Sequence, residues 1–416
     1  MKDTLRVAGV YVGTIIGAGF ASGQEVLQFY TGYGWLGILG TLVTVVLYPL
    51  LGYYLVVLGK RVKAQSHKNV IYHIAGKYLG FVIDLLLTFF LFGVAVIMVA
   101  GSGSLFQQQF GMSPSIGYAI MAILIVLALL LSLRRVLNVI SSIAPFAFVI
   151  IVVLALYALF TADTSGVDLE AVSATQEQLA SPHWLLSAFL HVSFNVALSV
   201  GILAIMGATE QSHKAAKRGA ILGGVVLGVI ALVINLAMYF NVDELIGTEM
   251  PMLAIANDVN PIVGLIVALL LLAMIFNTAV TMLYTFTARF FEVDTPRFKI
   301  AALVGGIVAF ALGFVGFTEL VNQVYPLLGY LGFVIFVCMA VNLVLIARRR
   351  SKGTATEVSD AGQASRFALP DRWPVLAALA VSPPRLVCAL NVAIALHDLA
   401  VLTLPVVQEC GARLGL

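Results

Sequence analysis

The sequence predicts an all-α integral membrane protein with ten transmembrane helices, arranged as a 5+5 inverted repeat in which helices 1 and 6 are discontinuous. Three observations predict it: the composition, the one-sided placement of positive charge, and a recurrence in helix spacing. Of the 416 residues, 61% are hydrophobic and 10% charged, against about 25% charged in soluble domains. Such a chain cannot cover itself with polar surface. The net charge of +3 is small and its Lys and Arg are not patterned for nucleic acid. Cys338, Cys388 and Cys410 have neither metal nor disulfide spacing. Lys2 and Arg6 precede an apolar run with no small-x-small cleavage site, which argues against a cleaved signal peptide.

Crossing the hydrocarbon takes about 20 apolar residues. Ten segments qualify, at about 5–30, 36–59, 79–108, 114–132, 136–161, 183–208, 216–240, 258–288, 298–316 and 320–347. All nineteen Lys and Arg before position 360 fall at the N-terminus, in 60–77, 134–135, 214–218, 289–299 or 348–352. The alternate loops 109–113, 162–182, 241–257 and 317–319 contain none. By the positive-inside rule the N-terminus and the end of helix 10 are cytoplasmic. Helices 6 to 10 start about 178 to 184 residues after helices 1 to 5. Five is odd, so a second unit of five enters from the opposite side, which makes an inverted repeat of about 5–161 and about 183–347. Residues 1–350 are then the core and 351–372 a small, polar linker. The tail 373–416 has a different, Ala/Leu/Pro/Arg flavour. It reads either as an appended hydrophobic helix or as a segment unrelated to function, such as a frameshifted end.

Helix 1 contains GTIIGAGFASGQE, from Gly13 to Glu25, and helix 6 contains HVSFNVALSVG, from His191 to Gly201. Interrupted helices at matching positions of two halves point to a transporter's binding site. Unwound backbone survives at membrane depth only in protein or beside a cavity. Freed N–H groups attract anions and freed carbonyls attract cations. The candidate solute-binding residues are therefore Gly17, Ala18, Gly19, Phe20, Ala21, Ser22 and Gly23 with Ser193, Phe194, Asn195 and Ser199. Phe20 and Phe194 are placed to close over a solute. The competing reading is that the glycines only let helices pack closely.

Glu25 is an intramembrane carboxylate, a functional position by default. On a continuous helix it lies roughly 28 Å beyond Arg6, toward the outer mouth. It reads as a gate or proton-coupling group, or as a partly wet structural carboxylate. His191 could titrate near neutral pH or serve as a hydrogen-bonded spacer. Asp84, near the start of helix 3, reads as a partner for basic loop residues. In helix 8, Asn277, Thr278 and Thr281 supply oxygens of the kind hard cations take, unless the threonines bond back to their own helix. Asn322–Pro326, NQVYP, could kink helix 10 at an outer gate. No nucleotide loop, zinc motif or hydrolase elbow occurs, and an enzyme is not expected.

With its head motif and ten-segment plan, the chain over residues 1–350 resembles the bacterial YkvI-type putative amino-acid permeases of the amino acid–polyamine–organocation superfamily. That resemblance implies a LeuT-type fold, helices 1, 3, 6 and 8 around a midplane site, alternating access, and a bacterial cytoplasmic membrane. It also implies a Na⁺ site formed by the Gly17 and Ala18 carbonyls with Thr278 and Thr281. The Asp-Pro-Gly-Asn motif of the Nramp metal transporters is missing from helix 1, and their Met-Pro-His pattern from helix 6. The expected function is Na⁺- or H⁺-coupled movement of a small solute, an amino acid or related compound, with membrane lipid as a partner, no nucleic acid, an open oligomeric state and no cofactor beyond the coupling ion. The alternative is an amino-acid-sensing receptor subunit, like those of spore germination, without net transport.

Overall fold

The computed structural model describes residues 1–351 except 131–132, 177–178, 246 and 294; of 133–145 and 343–351 it describes the backbone alone. The linker and tail lie outside the described residues. One compact unit takes in 1–73 and 77–336 and carries every contact described below; a second takes in 74–76 and the chain from Val337.

All the regular structure described is helical. Seven helices are long and apolar enough to cross a membrane among the described residues. They are α4 (Trp35–Val62), α5 (His67–Phe110), α9 (Trp184–Thr209), α10 (His213–Phe240), α12 (Pro261–Thr287), α13 (Pro296–Gly313) and α14 (Phe317–Ser351, over Phe317–Asn342). Two more expected segments coincide with α6 (Pro114–Leu130) and α7 (Leu133–Thr161). Ordinary punctuation marks their ends. Asn260 and Thr295 cap the N-termini of α12 and α13, each followed by a proline in the first turn. Gly111, at φ 65°, ends α5 in the left-handed conformation.

The first segment is not one helix but three: α1 (Lys2–Ile15), α2 (Ala18–Ala21) and α3 (Gln24–Phe29). Gly17 is extended, and its N–H donates to the Ile15 carbonyl at 2.8 Å instead of continuing the α ladder. Gly23, at φ 85°, makes the second turn, a conformation that favours glycine.

The expected interruption of helix 6 is not found: α9 runs unbroken from Trp184 to Thr209. The reason lies in the residues. From Trp184 to Val200 there is neither Gly nor Pro, and the polar side chains satisfy themselves locally. Asn195 Nδ2 donates to the His191 carbonyl at 3.0 Å, and the Ser199 hydroxyl to the Val196 carbonyl at 3.2 Å. Two further expectations change at their ends. α5 begins at His67, with a kink at Gly76. The expected helix 8 is preceded by a separate short helix, α11 (Pro251–Val259), which Asn260 divides from α12.

α1, α4, α9 and α10 pack together: α4 against α9 and α10, and α1 against the same two. Glycines permit the approach. A Cβ on Gly59 would fall on the Ala204 carbonyl, and one on Gly207 on the Val56 carbonyl, so α4 and α9 meet backbone to backbone. A second group joins α13 and α12 to α6, and α12 to α7, which also touches α10. α2 lies against α12, bringing the break to the junction of the two groups.

Candidate functional site

The break opens a cavity. It has a volume of about 580 Å³ and runs along α1–α2, α5, α9 and α12. At one end it reaches Gly17, Ala18, Gly19, Glu25, Phe194, Asn195 and Tyr325. Asn277, Thr278 and Thr281 line its α12 wall. At the other end stand Gln65, Ser66, His67 and Arg289, at or beside the Lys- and Arg-rich loops. Gln65 there is exposed.

The far side is sealed. Every residue from Ala18 to Gly32 is buried. The Ala180 N–H donates to the Gln28 carbonyl at 3.2 Å, and Gln28 Nε2 to Asn322 Oδ1 at 3.1 Å. The Met252 N–H, in the first turn of α11, donates to the Ser22 carbonyl at 2.9 Å.

Of the residues singled out in the sequence, Gly17, Ala18, Gly19, Glu25, Phe194, Asn195, Asn277, Thr278 and Thr281 meet at this cavity. A Cβ on Gly17 would stand 3.6 Å from the Thr278 hydroxyl. Thr285 and Thr287 bond back onto their own helix carbonyls; Thr278, Thr281 and Thr285 line the cavity. The Gly17 and Ala18 carbonyls each accept a backbone N–H, from Ala21 and Ser22, so each has one lone pair left for a cation. Phe20, Ala21, Ser22, Gly23, Ser193 and Ser199 are not on the cavity wall. Gly23 packs instead against Met238, Pro251 and Met252. Ser22 donates to the Gly19 carbonyl at 3.0 Å, holding the turn.

Glu25 is not at an outer mouth. It is 5% exposed, and a Cβ on Gly19 would collide with its Oε1 and stand 2.7 Å from the Tyr325 hydroxyl. Two turns absorb the length that a continuous helix would have spent on rise. Glu25 Oε2 is 3.5 Å from Nε2 of His191, which is wholly buried. His191 Nδ1 lies 2.8 Å from the Tyr30 hydroxyl and 3.3 Å from that of Tyr48. Phe29 and Phe20 flank its ring, with centroids at 5.1 and 5.9 Å.

Sequence reasoning missed Tyr30, Tyr48 and Tyr325. The first two carried no signal, being aromatic residues in apolar runs. Tyr325 sat inside NQVYP, noticed only for its proline. At the other end of the cavity Asp84 pairs with basic residues, as its place in the chain suggests. Its Oδ1 accepts from Arg289 Nη1 at 2.7 Å and lies 2.8 Å from His67 Nε2, and its Oδ2 lies 3.4 Å from Lys68 Nζ. Arg289 also reaches Thr88. That clasp ties the start of α5 to the end of α12.

No protein-family model matches the chain. The "Uncharacterized membrane protein YkvI" of Bacillus subtilis (strain 168) is 30% identical over 331 residues, covering 78% of this chain and 92% of that protein. Among solved structures, MhsT in complex with L-phenylalanine superposes with a TM-score of 0.54 at 18% identity, covering 79% of this chain and 87% of that one. Mhp1 in an inward-facing conformation gives 0.56 at 16% identity, covering 83% and 77%. Extended relatedness in sequence and a shared backbone plan agree: the chain belongs to the YkvI family of membrane proteins and has the LeuT-type fold.

Proposed function

We propose that the protein is a secondary active transporter of a small solute, an amino acid or related compound, working by Na⁺- or H⁺-coupled alternating access. The observation that carries this is the cavity. It reaches from a buried carboxylate beside a broken helix to the basic-loop end of the molecule, while the opposite end is sealed. A solute site accessible from one side at a time is what alternating access requires.

In this reading the core has ten spans: α1–α3 as one, then α4, α5, α6, α7, α9, α10, α12, α13 and α14. The packing supports an inverted repeat, since α1 meets α10 as α9 meets α4. It lies in the cytoplasmic membrane of a bacterium with its N-terminus inside, so the cavity is open to the cytoplasm. The solute binds among Gly17, Ala18, Gly19, Phe194 and Asn195, with Phe20, Ala21, Ser22, Gly23, Ser193 and Ser199 as the shell behind them. Na⁺ binds between the Gly17 and Ala18 carbonyls and Thr278, Thr281 and Asn277. Glu25 and His191 form the gate or proton-coupling pair. Among structural neighbours, MhsT was solved with L-phenylalanine, and Mhp1 is a nucleobase-cation-symport-1 family transporter.

The test is uptake by proteoliposomes of purified protein under imposed Na⁺ or pH gradients, across the amino acids. Gradient-dependent accumulation of at least one is expected. Specific binding without uptake favours the sensing receptor instead. Thr281→Ala is expected to remove stabilisation by Na⁺; unchanged Na⁺ stabilisation would discard the α12 cation site.

A further inference from the structure

We propose that the transported solute carries a protonated amine and that Glu25 is its counter-charge, with Phe194 and Tyr325 as aromatic walls beside the ammonium. This rests on the solute-binding reading of the cavity. The Glu25 side chain is 6% exposed, and its Oε2 has no hydrogen-bond donor. A buried carboxylate in that position is costly unless something pairs with it.

His191, 3.5 Å away, is already committed. Asn195 Nδ2 donates to the His191 carbonyl, which fixes the amide, and the same nitrogen lies 3.3 Å from His191 Nε2. Nε2 therefore accepts from Asn195, and the ring donates from Nδ1 toward Tyr30 and Tyr48. In that tautomer His191 gives Glu25 no hydrogen bond, and Oε2 is left for another donor.

Among the described residues that line the cavity, Glu25 is the one carboxylate. The group missing beside it is thus a cation rich in N–H donors, and an ammonium offers three. The walls favour an ammonium over a metal ion. Phe194 and Tyr325 stack with centroids 5.1 Å apart, and both line the cavity next to Glu25. Aromatic faces attract ammonium groups, whereas hard ions take a shell of oxygens. Arg289, the cationic side chain among the described residues that line the cavity, stands at its other end. The volume of about 580 Å³ admits a small organic molecule.

The test uses purified full-length protein and a matched panel. For each apolar amino acid, equilibrium binding and thermal stabilisation are measured with the amino acid, its decarboxylated amine and its deaminated acid. Amino acids and amines are expected to bind, and the deaminated acids not. Glu25→Gln is expected to weaken binding roughly ten- to a hundredfold, the range of one hydrogen bond to a charged group; Phe194→Leu weakens it less. Should Glu25→Gln fail to fold, the wild-type panel decides alone. Acids binding as well as amines, no amine binding at all, or Glu25→Gln abolishing a response to Na⁺ while amine binding persists, would each overturn the proposal. Uptake separates the two levels. Amines that bind through Glu25 but are not carried would refute transport and leave this assignment standing. Carried solutes without an amine would do the reverse.

Discussion

Gly19 shows how little room the deep end of the cavity has. The atoms that an added Cβ would meet are the far ends of two side chains, Glu25 Oε1 and the Tyr325 hydroxyl. Side-chain ends can move, so the fold should tolerate the change better than the site does. Gly19→Ala is expected to keep most of the thermal stability, losing about 1 kcal/mol or less, while weakening solute binding severalfold. Parallel melting and binding curves on one preparation would check this; a large loss of stability with binding intact would contradict it. Much of this was legible in the chain, because Gly and Glu inside an apolar run are conspicuous. Tyr30, Tyr48 and Tyr325 were not legible, because a buried tyrosine differs from a core phenylalanine only by where its hydroxyl ends up.

At the scale of elements, α4 and α9 are held by mutual backbone contact at Gly59 and Gly207. A backbone carbonyl cannot swing aside as a side chain can. Gly59→Ala and Gly207→Ala should therefore each destabilise the protein by about 1–3 kcal/mol. The double variant should lose less than the sum, since one separation of the helices relieves both clashes. Thermal unfolding of the three variants measures this. A second element contact is pH-dependent. Arg6 near the start of α1 hydrogen-bonds Glu210 just past α9, holding its carboxyl below the usual range. A depressed folded-state value adds stability above the unfolded value and loses it as pH falls through the folded one. Arg6 is well exposed, so the effect should be under about 1 kcal/mol. Arg6→Ala is expected to flatten the acid side of the stability profile; an unchanged profile would show the pair to be idle.

Across the whole molecule, the cavity makes a statement about sidedness. In a cysteine-free background, single cysteines at Thr14, Ile205 and Thr285 should react with a charged thiol reagent applied from the basic-loop side. Cysteines at Gln24 and Gln28, buried on the sealed side, should stay protected. Labelling inside-out and right-side-out vesicles would show it. Equal reactivity of both sets would mean that the sealed face is open in the membrane. A saturating solute that reverses the pattern would be direct evidence of alternating access.

By itself the sequence determined the membrane character, the helical segments, the break in the first of them and the family. These follow from hydropathy, charge placement and glycine, which act locally and leave their marks in single stretches of chain. The helix 6 break failed because polar residues in an apolar run look alike whether they unwind a helix or bond back onto it; the absence of Gly and Pro before Val200 was the better guide. Only the tertiary structure decided the burial of Glu25, its closeness to His191, the Tyr325 wall and the sealed and open ends of the cavity. Those depend on turns that shorten the path of the chain and on contacts between residues 161 to 306 positions apart, distances over which a one-dimensional pattern carries no geometry.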